Sequence, residues 1–186
     1  MHVSHARSGK VVRVWRGAAA AALVWLSGCE TASQDLADLF KFNLPSPAQA
    51  ATDMFHEDPE RRRRGISLIA NSYFGGEPVY VEVYQKAVTD SDAMVRAAAA
   101  RALALHGKGS DALLVTPLLH PAESEIVRIE AAFALQRLHD EGAIDAMIQG
   151  MKGDSDERIR AGLALGLGQY ARLDVAEALA GALNDS

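Results

Sequence analysis

From about residue 47 onward, apolar positions recur three and four residues apart, and runs of this pattern come in pairs separated by short polar breaks. The pattern predicts helices throughout this part of the chain. First helices begin near residues 59, 91, 122 and 155, and second helices run about 78–88, 110–119, 141–152 and 173–184. Breaks fall at Phe74-Gly75-Gly76-Glu77-Pro78, Gly107-Lys108-Gly109-Ser110, His139-Asp140-Glu141-Gly142 and Tyr170-Ala171-Arg172. Asp58-Pro59 and Asp154 are start signals, because a carboxylate can accept from the orphan N–H groups of a first turn. Pro117 lies inside one second helix and should kink it or reset its start, since its ring clashes with the preceding turn.

The pairs repeat at a fixed interval. Asp90 to Leu103 returns thirty-two residues on at Ser124 to Leu135, and again at Asp156 to Leu167, with a weaker copy at Glu60 to Ile66. Val95, Val127 and Ile159 align, as do Leu103, Leu135 and Leu167. Ala102, Ala134 and Gly166 form a small-residue column, and Ala100, Ala132 and Ala164 form another. Such columns allow helix axes to approach to the short end of the usual range of about 8–10 Å. No pair can bury its apolar face alone, so stacked neighbours must share one continuous core. In this register the first repeat fits worst, with Arg63 in the Val/Ile column and Asn71 in the Leu column. Ser46-Pro47 reads as an N-cap and first helical residue. The helix it starts, to about His56, puts Ala51 and Phe55 in the columns of Val83 and Ala87, Val115 and Leu119, Met147 and Met151, and Leu179 and Leu183. Residues 47–56 are thus expected to form a half-repeat over the N-terminal edge.

An acidic residue, a branched apolar residue, an arginine, then Ala-Ala-x-Ala-Leu and a second helix resembles the HEAT-like repeats of the armadillo/HEAT superfamily, in the short bacterial form also seen in phycobilisome lyases. The resemblance spans residues 47–186. It implies an all-α fold: a right-handed α-α superhelix, or HEAT-like solenoid, of about four 32-residue helical hairpins plus the half-repeat. It further implies second helices lining a concave surface, and an inter-repeat ladder of Arg64, Arg96, Arg128 and Arg160 on the acidic column of Asp92 and Asp156, weaker where Ser124 takes that place. It implies a protein-binding scaffold rather than an enzyme. The alternatives are a lyase-like enzyme subunit and a structural protein that self-associates through its C-terminal edge at Leu179 and Leu183, where Asn184-Asp185-Ser186 resembles the opening of a further repeat.

Residues 1–28 carry Arg7, Lys10, Arg13 and Arg16, no acid, and a short apolar run from Gly17 to Leu26. This is the layout of a secretory signal peptide, too short to span a bilayer, which takes roughly 20 apolar residues. It closes on Leu26-Ser27-Gly28-Cys29, which resembles the lipobox of bacterial lipoproteins. The resemblance implies cleavage between Gly28 and Cys29 and acylation of Cys29, the only cysteine. Glu30 rather than aspartate after that cysteine points by resemblance to the periplasmic side of the outer membrane. Residues 29–46 are then the lipidated cysteine and a tether, with Leu36, Leu39 and Phe40 at helical spacing.

Processing removes four of the 19 basic residues and none of the 24 acids, taking the formal charge from −5 to −9. Nucleic acid is a poor match for that balance. His56, His106, His120 and His139 have no ligand spacing, so no metal or cofactor is expected beyond the covalent lipid. The glycines of Gly162 to Gly168 lie within a helix with no strand before them, so no dinucleotide loop is expected. Arg61, Arg62 and Arg63, beside Arg64, are a candidate contact for anionic lipid or an acidic partner, set against compensation by Glu57, Asp58 and Glu60. Tyr80 and Tyr84, one turn apart, are candidates for a partner surface, or else core. Both tryptophans, Trp15 and Trp25, precede Cys29. The membrane-extracted protein should therefore show no tryptophan fluorescence, and an emission band near that of indole would contradict cleavage.

Overall fold

The computed structural model describes residues 45–184; the signal peptide, Cys29, most of the tether, Asp185 and Ser186 lie outside the described residues. The described chain is helical and folds as an α-solenoid. A lone helix α1 (Pro47–Asp53) is followed by α2 (Pro59–Ala70) and α3 (Pro78–Ala87), then α4 (Ala93–His106) and a second helix broken into three. That broken helix is a 3-10 turn at Gly109–Asp111, α5 (Ala112–Val115), and a second 3-10 turn at Thr116–Leu119. Next come α6 (Glu125–Arg137), a 3-10 turn at Glu141–Ala143 leading into α7 (Ile144–Gly153), then α8 (Glu157–Leu167) and α9 (Leu173–Asn184). Pro117 sits in the 3-10 turn that ends the α5 segment, so the proline does reset its helix.

The helices begin where side chains can take the free N–H groups of the first turn. Ser46 accepts from Gln49 (3.1 Å), Asp58 from Glu60 (3.0 Å), Asp92 from Met94 and Val95 (2.9 and 3.1 Å), and Asp156 from Arg158 (2.8 Å). Ser124 holds the same place before α6 without a side-chain cap bond.

First helices stack on first helices: α2, α4, α6 and α8 pack in chain order, with α1 against α2 and the second helices along the same core. Val95, Leu103, Val127, Leu135, Ile159 and Leu167 are all fully buried, as are the alanines at 99, 100, 102, 131 and 134. The small columns set the spacing. A Cβ on Gly166 would stand 3.1 Å from the Gln136 Cα, so α8 runs close to the α6 backbone.

The first repeat corrects the expected register. Its cap, Asp58, precedes Asp92 by 34 residues, whereas Asp92, Ser124 and Asp156 follow at 32. Ile69, not Asn71, then fills the Leu column and is buried, while Asn71 is exposed. Arg61, not Arg63, takes the Val/Ile column. The extra residues sit in the turns between Asn71 and Glu77. Facing residues shift in the outer helices too: Ala50 and Met54 of the half-repeat and Tyr84 and Val88 of the first repeat are buried, in place of Ala51, Phe55, Val83 and Ala87. Phe55 is 73% exposed.

The half-repeat depends on one glycine. A Cβ at Gly65 would lie 2.6 Å from the Ala50 carbonyl oxygen and 2.7 Å from the Met54 nitrogen, both backbone. Gly65→Ala should therefore lift α1 off α2 and cost about 1–3 kcal/mol in urea unfolding. Faster amide exchange confined to residues 47–54 would locate the damage; unchanged exchange there would show that the two helices do not need this approach.

Candidate interaction surface

The arginine column does join repeats, but not to the acids expected. Arg128 forks onto Asp154, Nε to Oδ2 at 2.7 Å and Nη2 to Oδ1 at 3.2 Å, while Nη1 donates to the Glu123 carbonyl at 2.7 Å. Arg96 donates to the Asp90 and Ser91 carbonyls (2.8 and 3.1 Å) and to the Glu123 carboxylate. Arg160 repeats the carbonyl half on Asp154 and Ser155 (2.9 and 3.2 Å). Each arginine thus braces the loop before its own helix, and Arg96 and Arg128 also reach a carboxylate in the next loop. Asp92 and Asp156 are not the acceptors: Asp92 caps its own helix, and Asp156 caps its own and takes the Arg158 guanidinium at 2.6 Å. The acceptor stands two residues earlier in two of the loops, at Asp90 and Asp154, and one residue before the cap in the third, at Glu123.

The first rung comes from Arg62 rather than Arg64, as the 34-residue spacing requires. Its Nε and Nη2 meet Asp90 at 2.9 and 2.8 Å, and its Nη1 donates to the carbonyls of His56 and Glu57. Arg64 instead reaches back to Asp53 at 3.4 Å. Asp53, fully buried, also accepts from Arg61 Nε (3.1 Å) and Gln49 Nε2 (2.9 Å). Those hydrogen bonds, from Gln49 first and Arg61 next, hold its carboxyl below the usual aspartate value. Arg63 forks onto Glu60, with Nε to Oε2 at 2.8 Å. Every member of the Arg61–Arg64 run therefore has a carboxylate. The run is a set of internal ion pairs rather than a free basic patch.

Tyr84 is core, not surface. Its ring is fully buried, its hydroxyl donates to the Gly75 carbonyl at 3.1 Å, and burial pushes its phenol well above the ordinary value. The His106 ring lies 6.3 Å from it, with His106 Nε2 2.6 Å from the Ala70 carbonyl. Tyr80 is half-buried, 5.8 Å from the Phe74 ring. The glycine-rich turn before α3 is closed by these aromatic residues.

Two surfaces went unnoticed in the sequence. One is a groove of about 530 Å³ between the Thr116–Leu119 turn and α7. Pro117, Leu119 and Pro121 form one wall, and Ala146, Gly150 and Gly153 the other. His120, Thr116 and Gln149 supply a polar rim, and Asp154, held by Arg128, closes one end. The hint was Pro117 followed four residues on by Pro121. A full α-helical turn there would fill the space that the tighter 3-10 turn leaves. The second is a pocket at the opposite ends of the helices, around Phe133 and Arg137. Among the described residues, no group of three or more His, Cys, Asp or Glu could hold a metal ion, and no helix is long and apolar enough to cross a membrane.

Residues 112–186 match the family model for HEAT repeats. The match begins at α5, within the broken second helix, and covers α6 to α9 and the groove. Among solved structures, the crystal structure of an engineered protein superposes with a TM-score of 0.54 at 20% identity, covering 75% of this chain and 68% of that one. At that identity the likeness speaks for the fold alone. No curated protein matches the chain. Residues 112–186 are thus similar to HEAT repeats, and the described chain as a whole is an α-solenoid.

The rungs carry a pH dependence. Burial alone would raise the carboxyls of Asp90 and Asp154. The forks of Arg62 and Arg128, with the N–H groups of Asp92 and Asp156, overcome this and leave both below their ordinary value of 3.8. A carboxyl with a depressed folded pKa stabilises the fold fully above the unfolded value and loses that contribution as pH falls through the folded one. Tm should therefore hold down to about pH 4 and then drop. The drop should be shallower in Asp90→Asn/Asp154→Asn, and an identical acid limb in both proteins would contradict the assignment.

Proposed function

We propose that the protein is an adaptor: an α-solenoid anchored through lipid on Cys29 at the periplasmic face of a bacterial membrane, the outer one favoured, which holds another protein in its groove. The HEAT-repeat match over residues 112–186 carries the protein-binding part. The anchoring part is supported by the sequence pattern of basic residues, apolar run and Leu26-Ser27-Gly28-Cys29. The mechanism is presentation. The lipid sets location, the stacked repeats give a rigid surface, and the groove walls select the partner. Apolar walls with a polar rim suit a segment of a folded protein, with Pro117, Leu119 and Pro121 as the desolvated centre.

Photocrosslinking in intact cells, with the reactive group at Gln149 on the groove rim, should yield one discrete adduct with another protein, weakened by Ala146→Glu one turn away on the same wall. An adduct only with a second copy would replace the adaptor by self-assembly. Cys29→Ala should move the protein out of the membrane fraction, and its retention there would sink the anchor.

A further inference from the structure

The second pocket lies where α4 and α6 end, opposite in position along the helices to the groove. It holds about 580 Å³ and is lined by Leu105, Phe133, Gln136, Arg137, His139 and Gln169, among others. Phe133 stands between two guanidinium groups, with Arg101 Cζ 5.3 Å and Arg137 Cζ 5.7 Å from its ring centroid. The two cations differ in what else they hold. Arg101 gives one arm to Glu130 at 2.7 Å. Arg137 donates only Nε, to the Ala104 carbonyl at 2.8 Å, and meets no carboxylate among the described residues. Its Nη groups remain as a planar pair of donors. The Gln136 side-chain amide is also without a partner among the described residues, although its backbone carbonyl accepts from Gln169 at 2.9 Å.

Among the described arginines only Arg137 and Arg160 meet no carboxylate, and Arg160 spends its Nη1 on the Asp154 and Ser155 carbonyls. Arg61, Arg62, Arg63, Arg64, Arg96, Arg101, Arg128, Arg158 and Arg172 all meet carboxylates. The repeat register also marks the spot, since the positions thirty-two residues either side of Phe133 hold Arg101 and Leu165. An aromatic floor therefore occurs in this repeat and not in its neighbours. It fixes Arg137 by cation–π contact while the Ala104 carbonyl fixes its Nε edge. The result is a pre-set fork facing an open pocket, the geometry that grips a carboxylate through two parallel hydrogen bonds.

We propose that this pocket docks an acidic peptide segment of a partner protein. Arg137 takes the carboxylate, Gln136 adds a donor, and Leu105, 41% exposed, receives the neighbouring apolar side chain. The pocket volume and the exposed Leu105 at its edge favour a peptide over a small inorganic anion, which would use the fork and leave Leu105 bare. The site is separate from the groove, so it can fail without affecting the adaptor reading above.

The test is fluorescence anisotropy of a labelled Glu-Leu repeat peptide against the detergent-extracted chain. Wild type should bind, and Arg137→Gln should weaken binding by about tenfold or more, as loss of charge-assisted hydrogen bonds does. Arg137→Lys should recover only part of it, since an ammonium cannot fork. Phe133→Leu, which places the Leu165 side-chain type at this site, should fold normally and still bind more weakly. Lys152→Ala, at the other end of the helices, should change nothing. Absence of binding by wild type, or equal loss in Lys152→Ala, would overturn the proposal. So would full displacement by inorganic phosphate at matched ionic strength, which would make the site a bare anion pocket.

Discussion

A helical pair of about thirty residues cannot bury its own apolar face, and everything else in this chain answers to that limit. First helices must lie close enough to share side chains, so the facing positions are alanine or glycine. Close approach brings the loop of each repeat under the helix of the one before. The loop then exposes backbone carbonyls in a half-buried place, where unpaired polar groups are costly. The arginine column resolves this. One guanidinium takes carbonyls from the loop before its helix and, through Arg62, Arg96 or Arg128, a carboxylate from the loop beyond. The pairing of Arg128 with Asp154 is nearly buried, with side chains 11% and 5% exposed. Removing one partner from a pair so placed typically costs about 3–5 kcal/mol, because the other charge is left unpaired.

Much of this was legible in the residue pattern. Helix boundaries followed from caps and glycine breaks, and the Val/Ile and Leu columns from Val95 to Leu167 are core as their spacing required. The errors share a cause. Alignment by arginine identity placed Arg64 beneath Arg96, although three other arginines were available beside it. The N-cap is the better ruler, since a cap position is fixed by backbone geometry. Counting from Asp58 would have selected Arg62 and Ile69. The acceptor column was misplaced for a related reason. Asp90 and Asp92 both lie near Arg96, and only the demand of a helix for its own cap separates their tasks. Tyr84 was ambiguous because a tyrosine is equally at home in an interface and in a core that offers its hydroxyl an acceptor, here the Gly75 carbonyl.

The two surfaces were hidden for another reason. Each needs residues about thirty apart to meet at helix ends: Pro117 with Gly150, or Ala104 with Arg137. Periodicity reveals which helices pack, but the shape left between their ends depends on a 3-10 turn or on one aromatic residue in an otherwise aliphatic column. Both surfaces sit where a repeat departs from its neighbours. The shared residues make the stack, and both surfaces lie where it varies.

Asp53 illustrates how such an array is made to start. In a linear stack each unit is held only by those beside it, so an end unit has half the usual support and is the natural place for fraying. The carboxylate of α1 is gripped from within its own helix by Gln49 and from α2 by Arg61 and Arg64, under cover from solvent. Those contacts add directional bonds to the packing of α1 on α2. They make α1 a fixed edge on which α2, and through it each later repeat, is stacked.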